Sequence, residues 1–312
     1  MRAYSVLKDF SKNAEDIIRK SGIELTVNPS KDRPNSDELI SLLKEYDILL
    51  IGIREKLTPE MLNHIDKPKI IGSLSVGVDH IDKSFFESPL ITVVNIKTAN
   101  AISVAEHILG LILNLNKRIL EGNELALKGK GHKSNLYERP NDISGKTLGL
   151  IGAGNITKEL VKLVQAFNMN LKCFTKDPEK HVDLKNLGVE FLPLDEVLKQ
   201  SDIINVSLPL TDETRNLISA ERIALMKPTA TFINTSRAGI IDINALIDYT
   251  EKHEAFYAGL DIDLDDYKEL FMEYRHNVIV TPHTAGVSKQ AIARMDIELA
   301  EKVIAVVNKI KC

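Results

Sequence analysis

Only two cysteines, Cys173 and Cys312, occur in the 312 residues. So little thiol excludes a disulfide scaffold and predicts a reducing compartment. Residues 1–20 hold no apolar signal core. The longest apolar run of the central helical segment, residues 108–113, is broken by Asn114, far short of the ~20 residues a membrane span needs. The expected location is therefore cytoplasmic. Net charge is only −4, which gives no electrostatic footprint for nucleic acid or a membrane surface. The one local basic run, residues 128–133, reads as a solvated loop. No group of His, Cys, Asp and Glu has the spacing of metal ligands, so no metal is expected. There is no short internal repeat and no low-complexity segment.

What is present is an ordinary globular composition, 44% hydrophobic and 27% charged. A single core rarely grows past about 250–300 residues, so two domains are expected. Strand-like and helix-like segments alternate throughout. Strands are predicted at 46–53, 70–74 and 91–95, with a helix at 58–65. A long buried helix follows at 103–120, with Ser103 placed to cap it and Glu106 three residues on. Residues 121–146 are polar and read as a loop or arm. A second series of strands is predicted at 147–152, 171–175, 190–192, 202–208, 231–235, 257–262 and 278–281. Residues 289–308 close the chain as a helix. Such alternation describes an α/β fold of doubly wound parallel sheets.

Within that pattern, Leu148-Gly-Leu-Ile-Gly152-Ala-Gly154-Asn155-Ile156-Thr157 is a strand running into a glycine turn and then a helix. The turn lets backbone N–H groups meet a pyrophosphate at the helix N-terminus, where the dipole favours an anion. Gly152, Gly154, Asn155 and Ile156 are the predicted contacts. Thr157 stands where the third glycine of G-x-G-x-x-G would serve close helix packing, and is expected to push the helix outward slightly. Asp177 lies 25 residues after Gly152, just past the next strand. A carboxylate there accepts bonds from ribose hydroxyls and repels a 2′-phosphate, which favours NAD over NADP.

Three further segments fall at carboxyl ends of strands, where open α/β sheets bind ligands. They are Asn234-Thr235-Ser-Arg237-Ala-Gly, Ala258-Gly-Leu-Asp261 with the acids up to Asp266, and Thr281-Pro-His283-Thr-Ala-Gly286. With Ser75-Val76-Gly77-Val-Asp79-His-Ile-Asp82, Ser103-Val-Ala-Glu106-His107, Ser207-Leu-Pro-Leu-Thr211 and Met226-Lys-Pro228, the sequence resembles the D-isomer-specific 2-hydroxyacid dehydrogenase family along nearly its whole length. The resemblance implies two Rossmann-like doubly wound domains, with the cofactor domain inserted into the substrate domain. Mapped here, residues 1–99 and 287–312 form the substrate domain and 100–286 the NAD-binding domain. It further implies that the 121–146 arm pairs two copies into a homodimer.

A 2-keto acid presents a carboxylate and a carbonyl, and Arg237 is a fixed fork of donors suited to both. Reduction needs a hydride at C2 and a proton on oxygen. Histidine as a residue type can give and retake a proton in the neutral range, and His283 is the candidate proton donor. The resemblance implies a carboxylate partner for it five residues after Asp261, which is Asp266; Asp265 and Glu269 are substitutes. The resemblance implies that Asp261 itself supports the site or the nicotinamide rather than the chemistry, and Asp261 and Thr235 are grouped with the cofactor-binding residues. Backbone N–H groups of Ser75, Val76 and Gly77 are expected to bind the substrate carboxylate. Glu106 and His107 are adjacent on a helix and do not share a face, so Glu106 reads as a capping residue.

Arg54 and Lys56, with Lys133 on the arm, form a cationic rim for a phosphate. That segment resembles the equivalent part of 3-phosphoglycerate dehydrogenases, here without a regulatory domain after Cys312. The favoured substrate is 3-phosphoglycerate or 3-phosphohydroxypyruvate. The alternatives are reduction of glyoxylate or hydroxypyruvate, and a non-catalytic module that binds NAD to sense redox state.

Overall fold

The computed structural model describes residues 1–30, 32–130, 136, 139–263 and 276–311. The chain divides into two compact units, Met1–Asn100 with Lys289–Cys312, and Ala101–Ser288.

The first unit holds β1 (Arg2–Ser5), β2 (Glu24–Val27), β3 (Ile48–Ile51), β4 (Lys69–Ser73) and β5 (Ile91–Asn95), all parallel in the order β2-β1-β3-β4-β5. Central β3 reads Ile-Leu-Leu-Ile and is buried on both faces, as a covered parallel strand must be. Helices α1 (Lys12–Lys20) and α2 (Ser36–Glu45) start where the sequence supplies caps. Ser11 accepts from the Ala14 N–H, and Asn35 with Glu38 forms a complete capping box. The short α3 (Ser84–Glu87) follows β4.

The last helix, Lys289–Lys311, returns to this unit. Its Ala291, Met295, Leu299, Val303 and Val307 are buried in one cluster with Ala3, Ile48 and Ile70. Its polar side grips the segment after β5. Glu298 accepts from the Lys97 and Ala99 N–H groups at 2.8 and 3.2 Å. Arg294 donates to the Ala99 carbonyl and Lys302 to that of Asn95. These three residues are four apart and so share one helix face.

The second unit opens with α4 (Ala101–Lys117) and α5 (Ile119–Leu127). It continues with β6 (Thr147–Ile151), α6 (Asn155–Val164), β7 (Asn170–Phe174), α7 (Val182–Asn186), β8 (Glu190–Phe191) and α8 (Leu194–Gln200). Then come β9 (Ile203–Val206), α9 (Ala220–Ile223), β10 (Thr231–Asn234), α10 (Ile243–Lys252), β11 (Tyr257–Asp261) and β12 (Val278–Thr281). The strands pair in parallel in the order β12-β11-β10-β9-β6-β7-β8. One cluster, with α4 and α6, covers one side of the sheet, and another, with α8 and α10, covers the other. The order reverses between β6 and β9, and this switch point is where such sheets bind ligands.

The strands expected from the apolar runs appear within two residues at either end. Other expectations are corrected. Residues 59–64 form a 3₁₀ rather than an α-helix, with Pro59 at its start. Helix α4 begins at Ala101, so Ser103 is no cap. Its hydroxyl, buried inside the helix, donates to the Ala285 carbonyl at 2.9 Å. Glu106 therefore completes no capping box. The helix breaks at Arg118 (φ 57°) and resumes as α5, so residues 121–127 are helical and Glu121 is buried. Among the described residues no helix is long and apolar enough to cross a membrane.

Candidate active site

The glycine turn sits at the switch point. Gly152 has φ 105°, and a Cβ there would lie 2.4 Å from the Ser207 carbonyl oxygen, on the chain leaving β9. Only glycine fits. Gly154 caps α6, and a Cβ there would meet nothing within 4 Å. That open space beside the N-terminus of a ten-residue helix suits a pyrophosphate. Thr157, fully buried, donates its hydroxyl to the Gly152 carbonyl at 2.7 Å. The residue expected only to displace the helix thus ties the helix to the turn. Asn155 is exposed, and Ile156 is half-buried and packs on the core.

Beyond β7, Asp177 is exposed, and Lys180 at 2.8 Å holds its carboxyl below the usual range by hydrogen bond and charge. Lys176 pairs with Glu213, which turns that cation aside. At the end of β10, Thr235 is buried and its hydroxyl has no hydrogen-bond partner among the described residues. A buried hydroxyl left unmatched is costly and suits a ligand donor or acceptor. The glycine space, the exposed Asp177 and this hydroxyl fit a bound dinucleotide.

Strands β10, β11 and β12 are neighbours and parallel, so their carboxyl ends open on the same sheet edge. Arg237 follows β10. Asn234 braces its loop by accepting from the Ser236 N–H and donating to the Arg237 carbonyl. The Arg237 side chain is half-buried, with Nη1 donating to the Ser236 carbonyl.

His283 follows β12 through Pro282. Its N–H returns to the Thr281 carbonyl, and its backbone is left-handed at φ 54°. For a non-glycine residue that conformation is uncommon and must be held by its surroundings. Asp261 does the holding. Its fully buried carboxylate accepts from the Thr281 hydroxyl (2.5 Å) and the Thr284 and Ala285 N–H groups (both 2.8 Å). Its oxygens face the histidine loop, with none of the side chain exposed, as a residue that supports the site requires. His107 Nε2 lies 3.1 Å from the Thr281 hydroxyl, a further brace that helix-face reasoning passed over.

His283 Nδ1 stands 3.5 Å from Asp263 Oδ2. Asp263 was not among the expected partners, although its place two residues after Asp261 marked it. Asp265, Asp266 and Glu269 lie outside the described residues, as does Lys133.

In the first unit, Ser75-Val76-Gly77 follows β4. The Ser75 hydroxyl donates to the Gly77 carbonyl at 2.6 Å, and Asn95 Nδ2 donates to the Val76 carbonyl at 2.8 Å. Next to β4 in the sheet is β3, whose end leads to Arg54. There the buried Glu55 accepts from the Gly52 N–H and pairs with Arg33. This anchor leaves Arg54 and Lys56 on the exposed side of the loop. Among the described residues no group of three or more His, Cys, Asp or Glu could hold a metal ion.

The family model for the D-isomer specific 2-hydroxyacid dehydrogenase, NAD binding domain, matches residues 109–285, more than half of the chain. The chain belongs to the D-isomer-specific 2-hydroxyacid dehydrogenases. It is an NAD-dependent oxidoreductase of that family, and the matched residues lie within its Ala101–Ser288 unit. A hydroxypyruvate reductase of Thermotoga maritima is 33% identical over 301 residues, 93% of this chain and 96% of that protein. A D-3-phosphoglycerate dehydrogenase of Methanocaldococcus jannaschii is 33% identical over 269 residues, 86% of this chain but 51% of that longer protein. The crystal structure of an Aquifex aeolicus D-lactate dehydrogenase with NAD and lactic acid superposes with TM-score 0.85 at 29% identity, covering 99% of this chain and 96% of that one.

Proposed function

We propose that this chain transfers a hydride between NAD(H) and C2 of a small 2-hydroxy or 2-keto acid, with 3-phosphoglycerate or 3-phosphohydroxypyruvate as the favoured pair. The observation that carries the reaction is His283, held left-handed at a strand end beside Asp263, with Arg237 two strands away on the same sheet edge.

Gly152, Gly154, Asn155 and Ile156 would hold the pyrophosphate, Asp177 the ribose hydroxyls, and Thr235 a further polar group of the dinucleotide. When bound, the nicotinamide supplies or takes the hydride. The chain's own groups do the rest. The Ser75–Gly77 amides and the Arg237 fork hold the substrate carboxylate, and Arg237 also polarises the carbonyl. His283 gives the proton to the developing alkoxide and retakes it in the reverse direction. Asp263 orients the imidazole through Nδ1; the pairing with Asp266 implied by the family resemblance is the alternative. Asp261 is a positioning residue for the whole loop.

For the substrate tail, the Glu55 anchor supports the phosphate reading, because it sets Arg54 and Lys56 outward beside the strand bearing the carboxylate turn. A second reading, hydroxypyruvate or glyoxylate reduction, is favoured by the end-to-end match with the Thermotoga relative. NADH oxidation assayed with 3-phosphohydroxypyruvate, hydroxypyruvate, glyoxylate and pyruvate decides between them. A kcat/KM that does not favour the phosphorylated acid, or does not fall in Arg54→Gln, removes the phosphate reading. NADH binding with no turnover on any of these acids removes both substrate readings. Pairing of two copies through the 121–146 arm belongs to the same proposal, and a monomer mass by sedimentation would remove it.

A further inference from the structure

Behind the carboxylate turn of the first unit runs a chain of side chains that the reaction as drawn does not use. Ser75 donates its hydroxyl proton to the Gly77 carbonyl at 2.6 Å. The Ser73 and Ser75 hydroxyls are 2.7 Å apart, and Ser73 lies 3.0 Å from His80 Nε2. Ser73 is fully buried and Ser75 nearly so.

Proton counting gives the chain a direction. A hydroxyl has one proton to donate. That of Ser75 is on the Gly77 carbonyl, so Ser73 must donate to Ser75. The Ser73 proton is then used as well, so His80 Nε2 must be the donor to Ser73. The chain reads imidazole N–H to Ser73, Ser73 to Ser75, Ser75 to the Gly77 carbonyl. The opposite tautomer, with Nε2 an acceptor, would take the Ser73 proton and leave the Ser73–Ser75 contact without one. Each bond in such a series polarises the next.

We propose that His80 is a positioning residue for the substrate carboxylate: acting through Ser73 and Ser75, it holds the Ser75 side chain and the Gly77–Val78 peptide plane that closes the turn, so that the turn keeps its N–H edge toward the anion. The Val76 carbonyl is held separately by Asn95, so two of the turn's three carbonyls, those of Val76 and Gly77, are tied back. His80 touches no reacting atom, and its effect is confined to the acid's carboxylate. The inference rests on the turn being the carboxylate site.

The test compares a keto acid with its own methyl ester, pyruvate with methyl pyruvate, in the wild type and in His80→Phe, Ser73→Ala and His80→Gln. The wild type is expected to favour the acid. His80→Phe and Ser73→Ala are expected to raise the KM of the acid about tenfold, the loss of one charge-assisted hydrogen bond, with little change for the ester. The NADH dissociation constant and kcat stay near wild type. His80→Gln, whose amide N–H replaces the imidazole donor, restores the preference. Ser73→Ala breaks the same chain at its middle and serves where the bulkier variant does not fold. Variants that keep the wild-type preference for acid over ester would overturn the role of His80. A wild type that is indifferent to esterification would instead overturn the carboxylate turn itself, and the inference with it.

Discussion

Two turns of this molecule, one in each unit, use the same device against different backgrounds. In the glycine turn after β6, the Gly152 carbonyl is tied back by the Thr157 hydroxyl. In the turn after β4, the Gly77 carbonyl is tied back by the Ser75 hydroxyl. A carbonyl so bound cannot swing toward an anion, and the N–H side of the turn is what remains to meet one. The first turn has a ten-residue helix behind it, whose dipole suits a doubly charged pyrophosphate. The second has serines and an imidazole behind it, which suit a single carboxylate. What the two share is the tied carbonyl, and what differs is how much positive field stands behind it.

The largest expected effect isolates the side chains that serve neither turn as a brace. His283→Ala is expected to lower kcat by ~10²–10⁴ while a fluorescence titration shows unchanged NADH binding. Arg237→Ala is expected to cost ~3–4 kcal/mol of transition-state stabilisation. Normal turnover in either would detach the chemistry from this sheet edge. Next, Gly152→Ala forces a methyl against the Ser207 carbonyl and imposes about 1–3 kcal/mol of backbone strain. NADH affinity and melting temperature should both fall, with the cofactor affinity falling more than tenfold. The smallest and sharpest test deletes the paired hydroxyls. Thr157→Val should weaken NADH several-fold and leave the KM of the keto acid alone. Ser75→Ala should do the reverse. If both variants affect the same ligand, the two turns are not separate anion sites.

The glycine turn could be read in advance because its chemistry is local. An apolar strand, Gly152, Gly154 and the helix start are consecutive, and each constrains the backbone by itself. The strands of the second unit were equally legible as apolar runs bounded by polar turns. Strands β1 and β2 were not, because Arg-Ala-Tyr-Ser and Glu-Leu-Thr-Val mix polar residues into strands of only four residues. The break at Arg118 carries no glycine or proline to announce it. It is held by the buried ion pair with Glu121, three residues on, and from a distance by the Tyr257 ring 4.7 Å from the guanidinium. Arg237 and His283 stood out by residue type and place. Their supports did not: His107 meets Thr281 across 174 positions, and the burial of Asp261 under the histidine loop cannot be seen in a string of letters.

The last helix has a consequence for how this chain comes into being. A ribosome finishes Met1–Asn100 long before it reaches Lys289, yet the apolar cluster around Ala3, Ile48 and Ile70 is closed only by Met295, Leu299 and Val303. During synthesis the inserted unit can complete itself first, while its elder neighbour waits with an open flank. The newborn chain is therefore most exposed to aggregation and proteolysis in its Met1–Asn100 segment until the helix carrying Met295, Leu299 and Val303 has been made.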